Sequence, residues 1–178
     1  SVRDLVTSDI SIPHLAVRKG EIVGVAGVAG NGQEALYAYL AGEELAPSAS
    51  AVRLNGVDAG RFGPSERRAL GAAFVPEERL GHAAVPDFSL IDNTLLSNLG
   101  TDGFQKRGLI NWRVVREHAV EVCDGYDVRH AGVTGRAGSL SGGSLQKCIV
   151  GRELNKHPEV HSVNQPPWGG GVGAATNK

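Results

Sequence analysis

The chain has 178 residues, 41% of them hydrophobic and 21% charged, with a formal net charge of −1. That balance suits one globular domain, or a domain carrying an inserted subdomain, and it argues against disorder and against electrostatic capture of nucleic acid or an acidic membrane surface. No apolar run approaches the roughly 18 residues of a membrane span and no basic-then-apolar leader opens the chain, so any membrane contact is expected to be peripheral.

In chain order, residues 22–26 (Ile-Val-Gly-Val-Ala) read as a buried strand running into the glycine-rich loop Gly27-Val28-Ala29-Gly30-Asn31-Gly32. Good helix formers fill residues 33–40 and stop at Gly42, a residue suited to the left-handed end of a helix. Residues 51–55 and 70–75 read as strands, with a short exposed helix around residues 65–68 between them. Residues 89–99 and 112–124 are helical in pattern, the second with Val115, Ala119 and Val122 on one face. Ser139 or Ser141 can cap a last helix through Leu154, and residues 160–163 form a weaker strand candidate. The tail from Gly169 to Lys178 is too rich in glycine to continue a packed element. Cys123 and Cys148 have no metal-like spacing, which argues against a disulfide framework and makes a reducing cytosol the default. The absence of methionine, even at position 1, predicts a piece of a longer protein.

Two segments carry chemistry. Gly27 to Glu34 has the spacing G-x-x-x-x-G-x-x, in which backbone N–H groups and the start of a helix surround phosphate oxygens. The working motif places a lysine and then a serine or threonine at its end, for the terminal phosphates and magnesium; here those positions hold Gln33 and Glu34. A neutral amide lacks the ammonium charge, and a carboxylate repels a triphosphate. About 110 residues downstream, Leu140-Ser141-Gly142-Gly143-Ser144-Leu145-Gln146-Lys147 sets a hydroxyl and unobstructed N–H groups at a helix start, which suits an anion as well as an ordinary serine cap.

Together these segments resemble the nucleotide-binding domain of ABC transporters, over nearly the whole chain. Leu140 to Lys147 looks like the family signature, Gly27 to Glu34 sits where its phosphate loop belongs, and Phe74-Val75-Pro76-Glu77-Glu78-Arg79 sits at its Q-loop, with Glu77 in place of glutamine. Asn164-Gln165-Pro166-Pro167-Trp168-Gly169 resembles the second acidic motif, with both acids replaced by amides. Gly-Asn-Gly-Gln, Val-Pro-Glu and Asn-Gln-Pro in combination look like the C-terminal half of the tandem ATPase of simple-sugar and nucleoside importers. Residues 85–90 and 106–110 lean toward the nucleoside type.

The resemblance implies an α/β fold with a P-loop NTPase (RecA-like) core of ABC type, a β-rich edge and a helical insert, truncated at the C-terminus before the switch histidine. It divides the chain into residues 1–84 (core and edge), 85–139 (helical subdomain) and 140–178 (signature helix, degenerate acidic motif and tail). It further implies that two such domains meet head to tail, with each ATP between one phosphate loop and the opposite signature. In this chain's own site Gln33, Glu34, Asn164 and Gln165 would leave no catalytic residue, while Gly27, Gly30, Asn31, Gly32 and Glu77 would still line the nucleotide. Leu140, Ser141, Gly142, Gly143 and Gln146 would serve, in trans, the ATP and magnesium held by the N-terminal half of the same polypeptide. Transmembrane permease subunits would be the other partners and the cytoplasmic face of the membrane the location, with no nucleic acid and no protein-held metal. Gly171 and Pro167 stand where the family's D-loop has aspartate and commonly threonine, and no aromatic in residues 2–17 offers an adenine platform. Alternatives of a different class are a non-transport ABC ATPase and a nucleotide-free scaffold. His157 and His161 are separated by Pro158 and suit a surface loop better than a metal pair. Glu77 with Glu78 makes a weak acid–base pair, Trp112 and Trp168 suit packing or an interface, and the pairs Arg67-Arg68 and Lys106-Arg107 suit solvated faces.

Overall fold

The structure, a computed structural model, describes residues 1–28, 30–99 and 103–164. Gln165, Pro167, Trp168 and Gly171 lie outside the described residues. The described chain divides into two units, residues 1–74 with 157–164, and residues 75–156.

The first unit opens with a hairpin that the sequence reading passes over. Strand β1 (Val2–Val6) pairs antiparallel with β2 (Ser11–Leu15), and its inward residues Val2 and Leu5 are buried. The Thr7 hydroxyl closes the turn by accepting the N–H groups of Asp9 and Ile10, each at 3.2 Å. A second hairpin pairs β3 (Arg53–Leu54) with β4 (Val57–Asp58) around Asn55 and Gly56, both at positive φ, the turn that Asn-Gly favours because its twist matches that of the strands. Helix α1 (Gln33–Ala41) ends at Gly42 in the left-handed region. There the N–H of Gly42 returns to the Ala38 carbonyl, and a Cβ would lie 2.7 Å from the Phe62 carbonyl oxygen, so both conformation and space call for glycine. Helix α2 (Pro64–Ala69) begins with proline, which needs no N–H partner at that position; β5 (Ala72–Val75) then pairs with β8 (Val160–Val163). Tyr37, Tyr39, Val52, Leu54, Ala72 and Phe74 belong to the core of this unit.

Two expectations fail here. Arg67 is not on a solvated face: it is fully buried. Its guanidinium donates to the carbonyls of Tyr39, Leu40 (2.8 Å) and Phe62 (2.9 Å), with Gly60 at 3.4 Å. The acceptors at the end of α1 have no helical N–H partners, and a cation is favoured there. The apolar run at residues 22–26 is also neither a strand nor buried, and Ile22 is 97% exposed. A strand buried on both faces needs ladder partners on its edges, and among the described residues none pairs with this run.

The second unit is mainly helical. Helix α3 (Leu90–Asn98) is capped by Ser89, whose hydroxyl accepts the Asp92 N–H at 3.1 Å while the Asp92 carboxylate accepts the Ser89 N–H at 3.3 Å. A tight hairpin, β6 (Gln105–Lys106) with β7 (Leu109–Ile110), turns at Arg107 and Gly108, both at positive φ, so Lys106-Arg107 straddles a turn. Helix α4 (Trp112–Gly125) buries Val115, Ala119 and Val122, as its spacing predicts, and Cys123 beside them, whereas Trp112 is half exposed. Helix α5 (Gly142–Leu154) packs against α3 and α4. Arg152 ties it to the Asn93 and Ala83 carbonyls, both at 2.9 Å, and Lys156 reaches the Ser97 carbonyl at 2.7 Å and the buried Glu153 carboxylate at 2.9 Å. At the α4–α5 seam Lys147 pairs with Asp127 at 2.7 Å, and both cysteines, Cys123 of α4 and Cys148 of α5, are free and buried.

Candidate functional site

The glycine loop enters α1 through two left-handed residues, Gly30 (φ 85°) and Gly32 (φ 90°). Gly32 is the N-cap position of α1, and a Cβ there would lie 2.5 Å from Ile10, in the β1–β2 turn, so glycine is required by conformation and by space. The Asn31 N–H turns back to the Val28 carbonyl at 3.2 Å. Gln33, the first residue of α1, folds its side chain over the loop: its amide nitrogen donates to the Val28 carbonyl at 3.3 Å and stands where a Cβ on Gly27 would collide with it. The amide thus occupies the inside of the loop, where it supplies no positive charge. Glu34 follows, exposed in the first turn of α1, where a carboxylate complements the helix dipole and competes with any other anion. Neither Gln33 nor Glu34 carries an ammonium or a hydroxyl group. Helix α1 packs on β8, and Asn164 comes directly after β8, so the loop's helix and the strand leading to Asn164 share one unit.

The second segment is built differently. Leu140 precedes the cap, and Leu145, four residues into the helix from it, is buried; these are the positions of a hydrophobic staple that fixes the entry of the chain. Ser141 is the N-cap of α5, and its hydroxyl accepts the Ser144 N–H at 3.3 Å. Ser141, Gly142 and Gly143 are all exposed, and the N–H groups of a helix's first turn have no carbonyl of their own helix behind them. A Cβ on Gly143 would meet nothing within 4 Å, and its φ is not left-handed, so neither packing nor conformation among the described residues calls for glycine there. Gln146 lies half-buried one turn further along the same helix.

Arg79 is a neighbour of this segment that sequence reasoning missed. Its guanidinium donates to the Gly142 carbonyl at 3.4 Å across 63 residues of sequence, a separation that no local pattern signals. It places a positive charge beside the exposed helix start. Glu77 and Glu78 are exposed in the same unit, in the loop after β5. His157 lies in a loop and His161 in β8, and among the described residues no group of three His, Cys, Asp or Glu side chains is arranged to hold a metal ion. No described helix is long and apolar enough to cross a membrane.

No protein-family model matches the chain. Among curated proteins it is 37% identical to the glucose import ATP-binding protein TsgD13 of Haloferax volcanii over 167 residues, which are 93% of this chain and 30% of that protein. It is 36% identical to the nucleoside import ATP-binding protein NupA of Lactococcus lactis, over 90% of this chain and 31% of that protein. With the guanosine import ATP-binding protein NupO of Bacillus subtilis it shares 34% identity, over 98% of this chain and 32% of that protein. The chain therefore spans only about a third of the length of these relatives. Among solved structures, the ATP-binding cassette MJ0796 in a dimeric post-hydrolysis state bound to ADP and Pi superposes with a TM-score of 0.74 at 17% identity, over 94% of this chain and 74% of that one. A second dimeric structure of that bacterial ABC transporter cassette gives 0.66 at 19% identity, over 90% of this chain and 65% of that one. The sequence relatives and the shared P-loop fold agree: the chain is a nucleotide-binding domain of the ABC ATPases, related to the ATP-binding proteins of sugar and nucleoside importers.

Proposed function

We propose that the chain is the C-terminal nucleotide-binding half of an ABC importer for nucleosides or simple sugars. In this reading it completes an ATP site held by the N-terminal half of the same polypeptide, at the cytoplasmic face of the membrane and in contact with permease subunits. The single observation that carries it is the contrast between two helix starts. At α5, Ser141, Gly142 and Gly143 stand exposed with a glycine that its own fold does not require; at α1 the loop is filled by the amide of Gln33.

The chemistry follows from those groups. When bound, ATP supplies the phosphoanhydride whose hydrolysis the importer uses. Toward a nucleotide on the opposite half, the Ser141 hydroxyl and the Gly142 and Gly143 N–H groups would contact the terminal phosphate, and the bare Cα of Gly143 would let that phosphate approach the backbone. Arg79, beside Gly142, would add positive charge. In its own loop, Gln33 and Glu34 offer neither the ammonium nor the hydroxyl that holds phosphate and magnesium, and Asn164 and Gln165 offer no carboxylate to orient the metal or take a proton from water. Hydrolysis is thus assigned to one of two sites. That site's closure would couple to transport.

The test is magnesium-ATP hydrolysis by this chain alone, then mixed with the N-terminal half, then in the assembled transporter. Activity only on mixing supports the reading. Ser141→Arg, which puts bulk and a long side chain against the opposite nucleotide, should lower the transporter's rate by about 100-fold or more, as loss of a key phosphate contact does. Gln33→Ala should leave most of it. Gly143→Ala, free of any clash in its own domain, should keep or raise the melting temperature while lowering the rate. Equal losses from Ser141→Arg and Gln33→Ala, or robust hydrolysis by the chain alone, would defeat the division of labour.

A further inference from the structure

We propose that the β6–β7 hairpin and the first turn of α4 form a docking surface for anionic phospholipid headgroups, holding the helical unit against the membrane. This inference rests on the proposed place of the chain at the cytoplasmic face of the membrane. At a net charge of −1 the whole chain has no field to draw it to an acidic surface, but screening leaves charges within about 10 Å of such a surface to act locally. From Gly103 to Arg116 the sequence holds Lys106, Arg107, Arg113 and Arg116 and no acidic residue. All four cations are exposed. Arg113 pairs with Glu117 at 2.8 Å, and among the described residues the other three have no carboxylate partner.

Two large apolar side chains stand among these cations. Leu109, the cross-strand partner of Lys106, is 75% exposed, and Trp112, the first residue of α4, is 51% exposed. Directly opposed residues of a ribbon share a face, so Lys106 and Leu109 lie on the same side of the hairpin. On α4, Trp112 and Arg113 are each one turn from Arg116, outside the buried stripe of Val115, Ala119 and Val122. Cations that meet lipid phosphates, a tryptophan at headgroup level and a leucine that reaches the acyl boundary are together the chemistry of an acidic bilayer surface. A nucleic acid would take up the cations but leave Leu109 at the turn without a partner, so lipid is the better fit. The turn adds a second sign. With both residues at positive φ it favours Asn-Gly, the pair found at Asn55-Gly56, yet its first residue is Arg107, at φ 54°. The guanidinium makes no hydrogen bond among the described residues, so the arginine serves nothing inside the hairpin.

The experiment sediments the 178-residue chain with vesicles of phosphatidylcholine alone and of phosphatidylcholine mixed with phosphatidylglycerol in equal parts. It is run at about 0.1 M and about 1 M salt, between which the screening length falls from about 10 Å to about 3 Å. The expected result is binding to the anionic vesicles only, lost at the higher salt, with a blue shift of Trp112 emission read in a Trp168→Phe chain. Lys106→Gln combined with Arg107→Asn should weaken that binding about 30-fold, the factor that two surface-facing cations carry. The same variant should keep or raise the melting temperature, because asparagine suits the turn, and a hairpin with a merely structural role would not give that combination. Equal binding to both kinds of vesicle, binding indifferent to salt, an unshifted Trp112, an unweakened double variant, or tighter binding to duplex DNA than to the anionic vesicles would each overturn the proposal. The assay contains neither nucleotide nor the N-terminal half, so its failure leaves the composite ATP site standing, and failure of hydrolysis on mixing leaves the vesicle result standing.

Discussion

Replacing Arg67 by methionine isolates what the buried guanidinium does, because the aliphatic stem and most of the volume are kept while every donor is lost. Three carbonyls take close hydrogen bonds from it, two of them, Tyr39 and Leu40, at the end of α1, and a fourth at Gly60 lies at 3.4 Å. A buried carbonyl left without a partner costs about 1–3 kcal/mol. Part of that is offset, since the guanidinium no longer has to be kept out of water, where burial already lowers its pKa. A net loss of about 3–4 kcal/mol follows, or roughly 6–16 °C in melting temperature for a domain of this size. The control is Arg68→Met on the same helix. Arg68 is only partly buried, with its guanidinium 5.8 Å from the centre of the Phe74 ring, a contact worth about 0.5–1 kcal/mol. Urea unfolding of both variants, read as midpoint shifts at constant slope, decides the matter. If the two lose the same stability to within about 1 kcal/mol, Arg67 is not the clasp on α1 described here. The clasp matters for function because α1 carries the glycine loop at its other end.

Gly151→Ala should destabilise the helical unit by about 1–3 kcal/mol, since its Cβ would lie 2.6 Å from the Tyr126 ring. In a Tyr126→Ala background the same change should turn neutral or stabilising by up to about 1 kcal/mol, the ordinary gain of alanine over glycine inside a helix; a double-mutant cycle by thermal denaturation checks this. His118 packs edge-on against Phe104 at 5.2 Å, and burial holds its pKa below the ordinary value, with Lys156 adding to the shift and Glu121 opposing it. The unfolded chain therefore takes up this proton first as pH falls below about 6.5, and stability should decline from there until the folded-state value is passed, then level off. His118→Gln should flatten that part of a melting-temperature profile between pH 7.5 and 5, and an unchanged slope would remove His118 as the cause.

What could be read from the sequence was what depends on neighbours in sequence. Caps are local, so Ser141 and the glycine stop at Gly42 were legible, and the face of α4 followed from its 3.6-residue spacing. The Asn55-Gly56 hairpin was equally local, and reading residues 51–55 as one strand ran through it. Partners far along the chain were not legible. The acceptors of Arg67 lie up to 28 residues away, so its pattern alone looked like a solvated face. The run at residues 22–26 is plainly apolar, but a strand is defined by its ladder, and among the described residues this run has none.

The same distinction separates the residues of the proposed site from the apolar run. The role given to Gln33 and Glu34 rests on charge: an amide and a carboxylate cannot do an ammonium's work in any conformation, so the identities alone carry that inference. The position of the Gln33 amide over Gly27 then adds a second, independent reason, because it fills the loop as well as failing to charge it. For the opposite helix the order is reversed. Ser-Gly-Gly is equally consistent with a plain cap, and what supports the proposed phosphate contact is geometry, with all three residues exposed and open space where a Gly143 side chain would go. Each half of the proposed division of labour therefore rests on a different kind of observation, and the contrast between Ser141→Arg and Gln33→Ala tests both at once.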